Sequence, residues 1–246
     1  MTITYEKKGH IGIFTIDNGK VNALTFAMHD QLYSHLDEFL NDSTIKVGIL
    51  KGSEGKCFCA GDDLNEGDVY PEGQEDTTKK ILTLPRNKPI IAAVNSWCLG
   101  EGFVYLMMLT DIRVAGTGAR FGLPEIAYAM AGASGATRLP LHIPRVSANW
   151  IALTGEKITA DQALQYQLIN EVVPDDEVFN RALEIAHMIA SHPLIAIQTE
   201  MECLKKCPEM TSEEAISLTR KLYDRQFRLY HQEPDAKSGI EHIKGQ

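Results

Sequence analysis

Apolar positions along the chain change period several times, and each change marks an element. Ile3–Glu6 and Ile11–Asp17 are short strand-like runs on either side of Lys7-Lys8-Gly9-His10, which predicts a β-hairpin. Met28, Leu32, Leu36 and Leu40 then recur every four residues, with Phe39 widening the stripe, so a helix is expected there. Val47–Leu50 and Ile90–Val94 are unbroken apolar runs of strand length, the second announced by Pro89. Phe103–Leu109 is apolar almost all round, the pattern of a fully buried helix, and Ile112–Ala115 follows as a strand. Strand, helix, strand, helix, strand is the rhythm of parallel crossovers.

From Ser147 onward the pattern turns helical. Ser147–Thr154, Ala160–Tyr166, Val178–Ser191, Leu194–Lys206 and Glu213–Tyr230 read as helices, with only Leu168–Val172 extended. The expectation is an α/β core over residues 1–190 and a helical C-terminal region over 191–246. Asn65–Thr78 carries Gly67, Pro71 and Gly73 among acidic residues and is expected to be a mobile surface loop.

Composition narrows the function classes. The 246 residues are 44% hydrophobic and 23% charged, an ordinary globular balance. A formal charge of −9 argues against nucleic acid as a partner, because phosphate binding needs clustered Lys and Arg. No apolar run approaches the ~20 residues that cross a bilayer, and Met1–Glu6 lacks the pattern of a signal peptide. Five cysteines, an odd number, read as reduced thiols; Cys57 and Cys59 are expected to be buried and structural. The eight histidines show no zinc-ligand spacing, so no metal site is expected. The cytoplasm is the expected location.

Three segments have the makings of chemistry. In Cys57-Phe58-Cys59-Ala60-Gly61-Asp62-Asp63-Leu64, an Ala-Gly pair after a strand lets the chain turn tightly and present the Asp62 N–H. Asn95 to Phe103 runs through Gly100-Glu101-Gly102 into the buried helix, whose unpaired N–H groups favour negative charge. The glycine spacing fits neither a dinucleotide fingerprint nor a phosphate loop. In Phe121-Gly122-Leu123-Pro124-Glu125-Ile126 a carboxyl sits among apolar neighbours, which should raise its pKa and suit it to general acid/base work. Each segment alone has a packing explanation. Two donor-presenting turns with one half-buried carboxyl are together the parts of an enolate-stabilising site.

These segments, in this order, resemble the crotonase superfamily, whose best-known members are enoyl-CoA hydratases and isomerases. The resemblance rests on Ala60-Gly61-Asp62-Asp63-Leu64, Ala93-Val94-Asn95 with Gly100-Glu101-Gly102, Asp111–Ala115, Phe121–Glu125, and Leu153-Thr154-Gly155-Glu156 with Ala160 and Ala163. It implies a ββα superhelix core and an acyl-CoA substrate, with coenzyme A entering as part of the substrate and no tightly bound cofactor. It also implies assembly as homotrimers or hexamers. By this resemblance the oxyanion donors are the N–H of Asp62 and that of Glu101, counted from Asn95, or Gly102, counted from Asp111. Glu125 becomes the general acid/base. Asn22, Ala23 and Leu24 form one wall of the coenzyme A site, and Ala60, Asp62, Asp63 and Leu64 the other. Met130, Ala131, Gly132 and Ala133 shape the acyl pocket, with Ser134 and Ala136 as variations there. Hydratases of the family add a second glutamate on the buried helix, where this chain has Val104 or Tyr105. A single glutamate matches double-bond isomerisation. The alternatives are hydration, decarboxylation, carbon–carbon hydrolysis of a diketone, or a relative that binds acyl-CoA without turnover. An RNA-binding relative is disfavoured by the negative charge.

Overall fold

The computed structural model describes residues 1–66, 76–130 and 133–230, with the backbone alone for residues 133–137 and 230. Thr2–Lys8 (β1) and Ile11–Asp17 (β2) form the expected hairpin, in register from Thr2↔Asp17 to Lys8↔Ile11. Phe26–Asn41 (α1) follows, capped by the Thr25 hydroxyl, which accepts from the Met28 N–H at 3.3 Å. Val47–Gly52 (β3), Thr77–Thr83 (α2), Ile90–Val94 (β4), Trp97–Leu99 (β5) and Glu101–Leu109 (α3) come next. Ile112–Gly116 (β6) and Arg120–Gly122 (β7) lead to a 3₁₀ turn at Pro124–Tyr128 and to Ala133–His142 (α4). The remainder is Arg145–Thr154 (α5), Ile158–Thr159 (β8), Ala160–Gln165 (α6), Glu171–Val173 (β9), Val178–Ala190 (α7), Leu194–Lys206 (α8) and Ser212–Tyr230 (α9).

Six strands make the main sheet in the order β1-β2-β3-β4-β6-β9, parallel from β2 onward. Its strands are apolar on both faces because both faces are covered. Ile11, Ile13, Val47, Ile49, Ile91, Ala93 and Val114 pack against Val178, Ala182, Ile185, Ala186 and Ala190 of α7. Their neighbours Phe14, Ile16, Leu50, Ile90, Ala92, Val94 and Ala115 face the larger core beside α1 and α3. Each large side chain buried this way contributes on the order of 1.5–3 kcal/mol.

The mixed α/β class expected from the rhythm of the chain is present. Leu168–Val172 was expected to be extended, but the strand begins at Glu171. Leu168 instead closes α6 onto the Ala163 carbonyl and offers its own carbonyl to Arg113. Most of the expected loop Asn65–Thr78 lies outside the described residues. Its last part is ordered as a helix start, with the Asp76 carboxylate capping Lys79 N–H at 2.9 Å. A second, small sheet of β5, β7 and β8 had no counterpart in the sequence pattern. Among the described residues, no helix is long and apolar enough to cross a membrane.

Candidate active site

The two turns read from the sequence both leave parallel strands at their C-terminal ends, where open α/β sheets present ligand sites. After β3 the chain runs through Cys57–Leu64; after β4 it enters β5 and then α3. An isolated bridge pairs Cys59 with Cys98, locking the two excursions side by side. Two glycines make the approach possible. Gly61 has φ +106° and Gly100 φ +55°, values that side-chain-bearing residues rarely adopt. A Cβ on Gly100 would stand 3.2 Å from the Gly61 Cα, and one on Gly61 would stand 3.4 Å from the Glu101 nitrogen.

Asp62 pairs with Leu24 through its neighbours: Leu24 N–H donates to the Gly61 carbonyl and Asp63 N–H to the Leu24 carbonyl. In parallel pairing this turns the N–H of Asp62 itself to the opposite side. Among the described residues, no hydrogen bond takes up the N–H groups of Asp62, Glu101 or Gly102. Gly102 is pressed onto Cys59, since a Cβ there would lie 2.5 Å from the Cys59 Cβ. Of the two candidates on α3, Glu101 has its nitrogen beside the Gly61 turn.

Glu125 reaches the same place from the small sheet. The 3₁₀ turn after β7 projects its carboxyl over Gly100, where Oε1 would be 3.5 Å from a Cβ. Its Oε2 is sealed from solvent without a hydrogen-bond partner, and so is Oε1 of Glu101. Burial raises the Glu125 carboxyl above the ordinary glutamate range, with the charge of Asp62 adding to it. Burial pushes Glu101 up to about 9, helped by the charges of Asp62, Glu125 and Asp76. Val104 and Tyr105 are buried apolar and phenolic positions that bring no carboxyl.

His29 was set aside in the sequence for want of metal spacing, yet it is part of this site. It is 2% exposed on the inner face of α1, and its Nε2 lies 3.2 Å from Asp62 Oδ1. Its Nδ1 is 2.6 Å from the hydroxyl of the fully buried Tyr105. A carboxylate only accepts, so a neutral His29 donates from Nε2 and accepts the Tyr105 O–H at Nδ1. The Asp62 side chain is thereby tied to two helices. The available signal was a histidine on the stripe of Met28, Leu32 and Leu36, a buried face where a polar group needs partners.

The segments expected to wall a ligand lie next to one another. Ala60 N–H donates to the Val21 carbonyl at 3.0 Å, and Leu24 and Asp62 form the bridge already described. Asn22 is fully buried with φ +52°; its amide donates to the Cys57 carbonyl at 2.7 Å and accepts from Asn18 N–H at 2.8 Å. Its side chain fastens the loop and does not project from it. Asp63 caps the Asn65 N–H at 3.0 Å, and Leu64 is 64% exposed. Met130 is described, while Ala131 and Gly132 and the side chains of Ala133, Ser134 and Ala136 lie outside the described residues. Cys57, Cys59 and Cys98 are buried free thiols.

Comparison with known proteins gives this geometry its family. The family model described as Enoyl-CoA hydratase/isomerase matches residues 6–243. The chain belongs to the enoyl-CoA hydratase/isomerase family. It is 37% identical over 207 residues to the 2,3-dehydroadipyl-CoA hydratase of Escherichia coli (strain K12), covering 82% of this chain and 80% of that protein. It is 30% identical over 252 residues to the short-chain-enoyl-CoA hydratase of Clostridium acetobutylicum, covering 98% and 95%. The crystal structure of an enoyl-CoA hydratase from Bacillus anthracis superposes with a TM-score of 0.86 at 28% identity, covering 99% of this chain and 96% of that one. The fold is therefore that of the crotonase superfamily, and the enoyl-CoA hydratase/isomerase family is one of enzymes.

Proposed function

We propose that this chain binds an acyl-CoA thioester, holds its carbonyl oxygen with the N–H groups of Asp62 and Glu101, and moves a proton at the adjacent carbons with Glu125. The reaction is enoyl-CoA isomerisation or hydration. The observation that carries this reading is the contact of Gly61 with Gly100, which sets two unclaimed N–H groups beside the Glu125 carboxyl, whose Oε2 has no partner. When a proton leaves the carbon next to the thioester, negative charge grows on the carbonyl oxygen. Fixed amide donors meet it without reorganisation, and loss of one such donor costs about 10²–10³ in rate. Gly102 is used in packing against Cys59, which favours Glu101 as the donor on α3.

A raised pKa suits Glu125 to accept a proton and return it. The Asn22–Leu24 and Ala60–Leu64 segments run together at the mouth of the site and form the coenzyme A walls of this proposal. Coenzyme A arrives with the substrate. Exposed Ile216, Tyr223 and Phe227 on α9 suit the helical C-terminal region to self-association as trimers or hexamers.

Glu125→Gln tests the assignment. Turnover of enoyl-CoA is expected to fall by about 10²–10⁴, while acyl-CoA still raises the melting temperature. Unchanged turnover removes Glu125 from its role.

A further inference from the structure

The geometry points to the Glu101 side chain as a second acid/base carboxyl facing Glu125, which equips the site to add water across an enoyl-CoA double bond. This deepens the reading above and rests on it. Further along α3 the buried face brings no carboxyl: Val104 is 3% exposed, and Tyr105 is 0% exposed with its hydroxyl on His29. Glu101 instead projects from the first residue of α3, directly after the glycine that Glu125 overhangs.

A glutamate placed at a helix N-terminus for stability faces water or a capping partner. In Glu101, Oε1 is instead sealed from solvent and unpartnered. Glu125 has an oxygen in the same condition, whereas the nearby Asp62 carboxylate is held by His29. Two carboxyls at one pair of glycines, each with an oxygen unmet, are groups that a ligand can engage. Their electrostatics divide the labour. Burial and the neighbouring charges keep Glu101 protonated at neutral pH, so it is the acid and Glu125 the base.

The step balances. Glu125 takes a proton from water as the water oxygen bonds to the β-carbon. The C=C electron pair shifts onto the thioester oxygen, which the two N–H groups hold. Glu101 gives its proton to the α-carbon and the carbonyl re-forms. Water has then been added across the double bond, and the proton now on Glu125 returns to Glu101.

The test compares hydration of a 2-enoyl-CoA with migration of the double bond of a 3-enoyl-CoA, which needs one carboxyl. Glu101→Gln keeps the main-chain N–H, so oxyanion binding survives. Hydration is expected to fall by about 10²–10⁴, and the ratio of hydration to migration by at least about 10², with no loss of melting temperature. Glu101→Met, which fills the space with an apolar chain, carries the same expectation should the Gln variant fold poorly. Hydration within threefold of wild type in either folded variant overturns the inference and leaves Glu125 in place. A wild-type enzyme that migrates the double bond without hydrating overturns it too. Hydration that survives Glu125→Gln brings down the underlying reading and the inference with it.

Discussion

The two ends of β4 and its neighbours bury ionisable groups on opposite terms. At the N-terminal ends of β4 and β6, the Arg86 guanidinium grips Asp111 with two bonds of 2.8 and 2.9 Å, and Asp111 also accepts the Ile90 N–H. Lys88, 1% exposed, donates to the carbonyls of Phe39 and Asp42 at the end of α1. Arg113 spends its donors on Thr110, Leu168 and Met107. At the C-terminal ends, Glu101 and Glu125 each leave an oxygen unmet. At one end hydrogen bonds saturate the buried charge; at the other an oxygen of each carboxyl is left unmet at a cost in stability, as the proposed chemistry would require.

Breaking the saturated end should give the largest effect on folding. Asp111→Ala strips Arg86 of its carboxylate and leaves it only the long bonds to the Lys88 and Met108 carbonyls, strands the Ile90 N–H, and is expected to cost about 3 kcal/mol by denaturant titration. The folded variant should keep wild-type kcat, since no site segment touches Asp111. At the other end, Gly100→Ala forces a side chain onto φ +55° and 3.2 Å from Gly61. A shift of the two turns by a fraction of an ångström should lower kcat by about 10²-fold, measured on enoyl-CoA turnover. A loss confined to KM would contradict that.

The pH dependence sharpens the contrast. Glu101 binds its proton more tightly folded, at about 9, than at its ordinary 4.5. Its stabilising contribution is therefore fully present below pH 4.5 and is lost as pH rises toward 9. Melting temperature in the wild type should decline over that window more steeply than in Glu101→Gln; parallel profiles would show that the carboxyl is not held neutral. The smallest effect belongs to Tyr105→Phe. Removing the O–H from His29 should cost about 1 kcal/mol, up to roughly fivefold in kcat if Asp62 loosens, and nothing beyond that.

Legibility followed the length of each signal. The four-residue stripe of α1 and the apolar runs of β3 and β4 were plain because each repeats over several residues. The small sheet was hidden because β5 and β7 have three residues each and β8 two, too few for a period to register. α4 was missed because Pro140 lies within it, a residue that ordinarily ends a helix. In the site, Gly61, Gly100 and Glu125 stood out through turn chemistry and a carboxyl among apolar neighbours. His29 did not, since its partners come from sequence positions 62 and 105, distances that only the fold closes. The burial of the Glu101 carboxyl was equally invisible, because an acidic residue at a helix start ordinarily faces water.

Gly102 lacks a side chain where the Cys59 thiol fills the room, with its sulfur 2.7 Å from where a Cβ would sit. One thiol thus acts as a shim under α3. A bulkier residue at position 59 would jack the helix start away from the Gly61 turn, widening the gap between the two amides without altering either. The spacing of the site can be tuned from underneath, by a residue that no substrate meets.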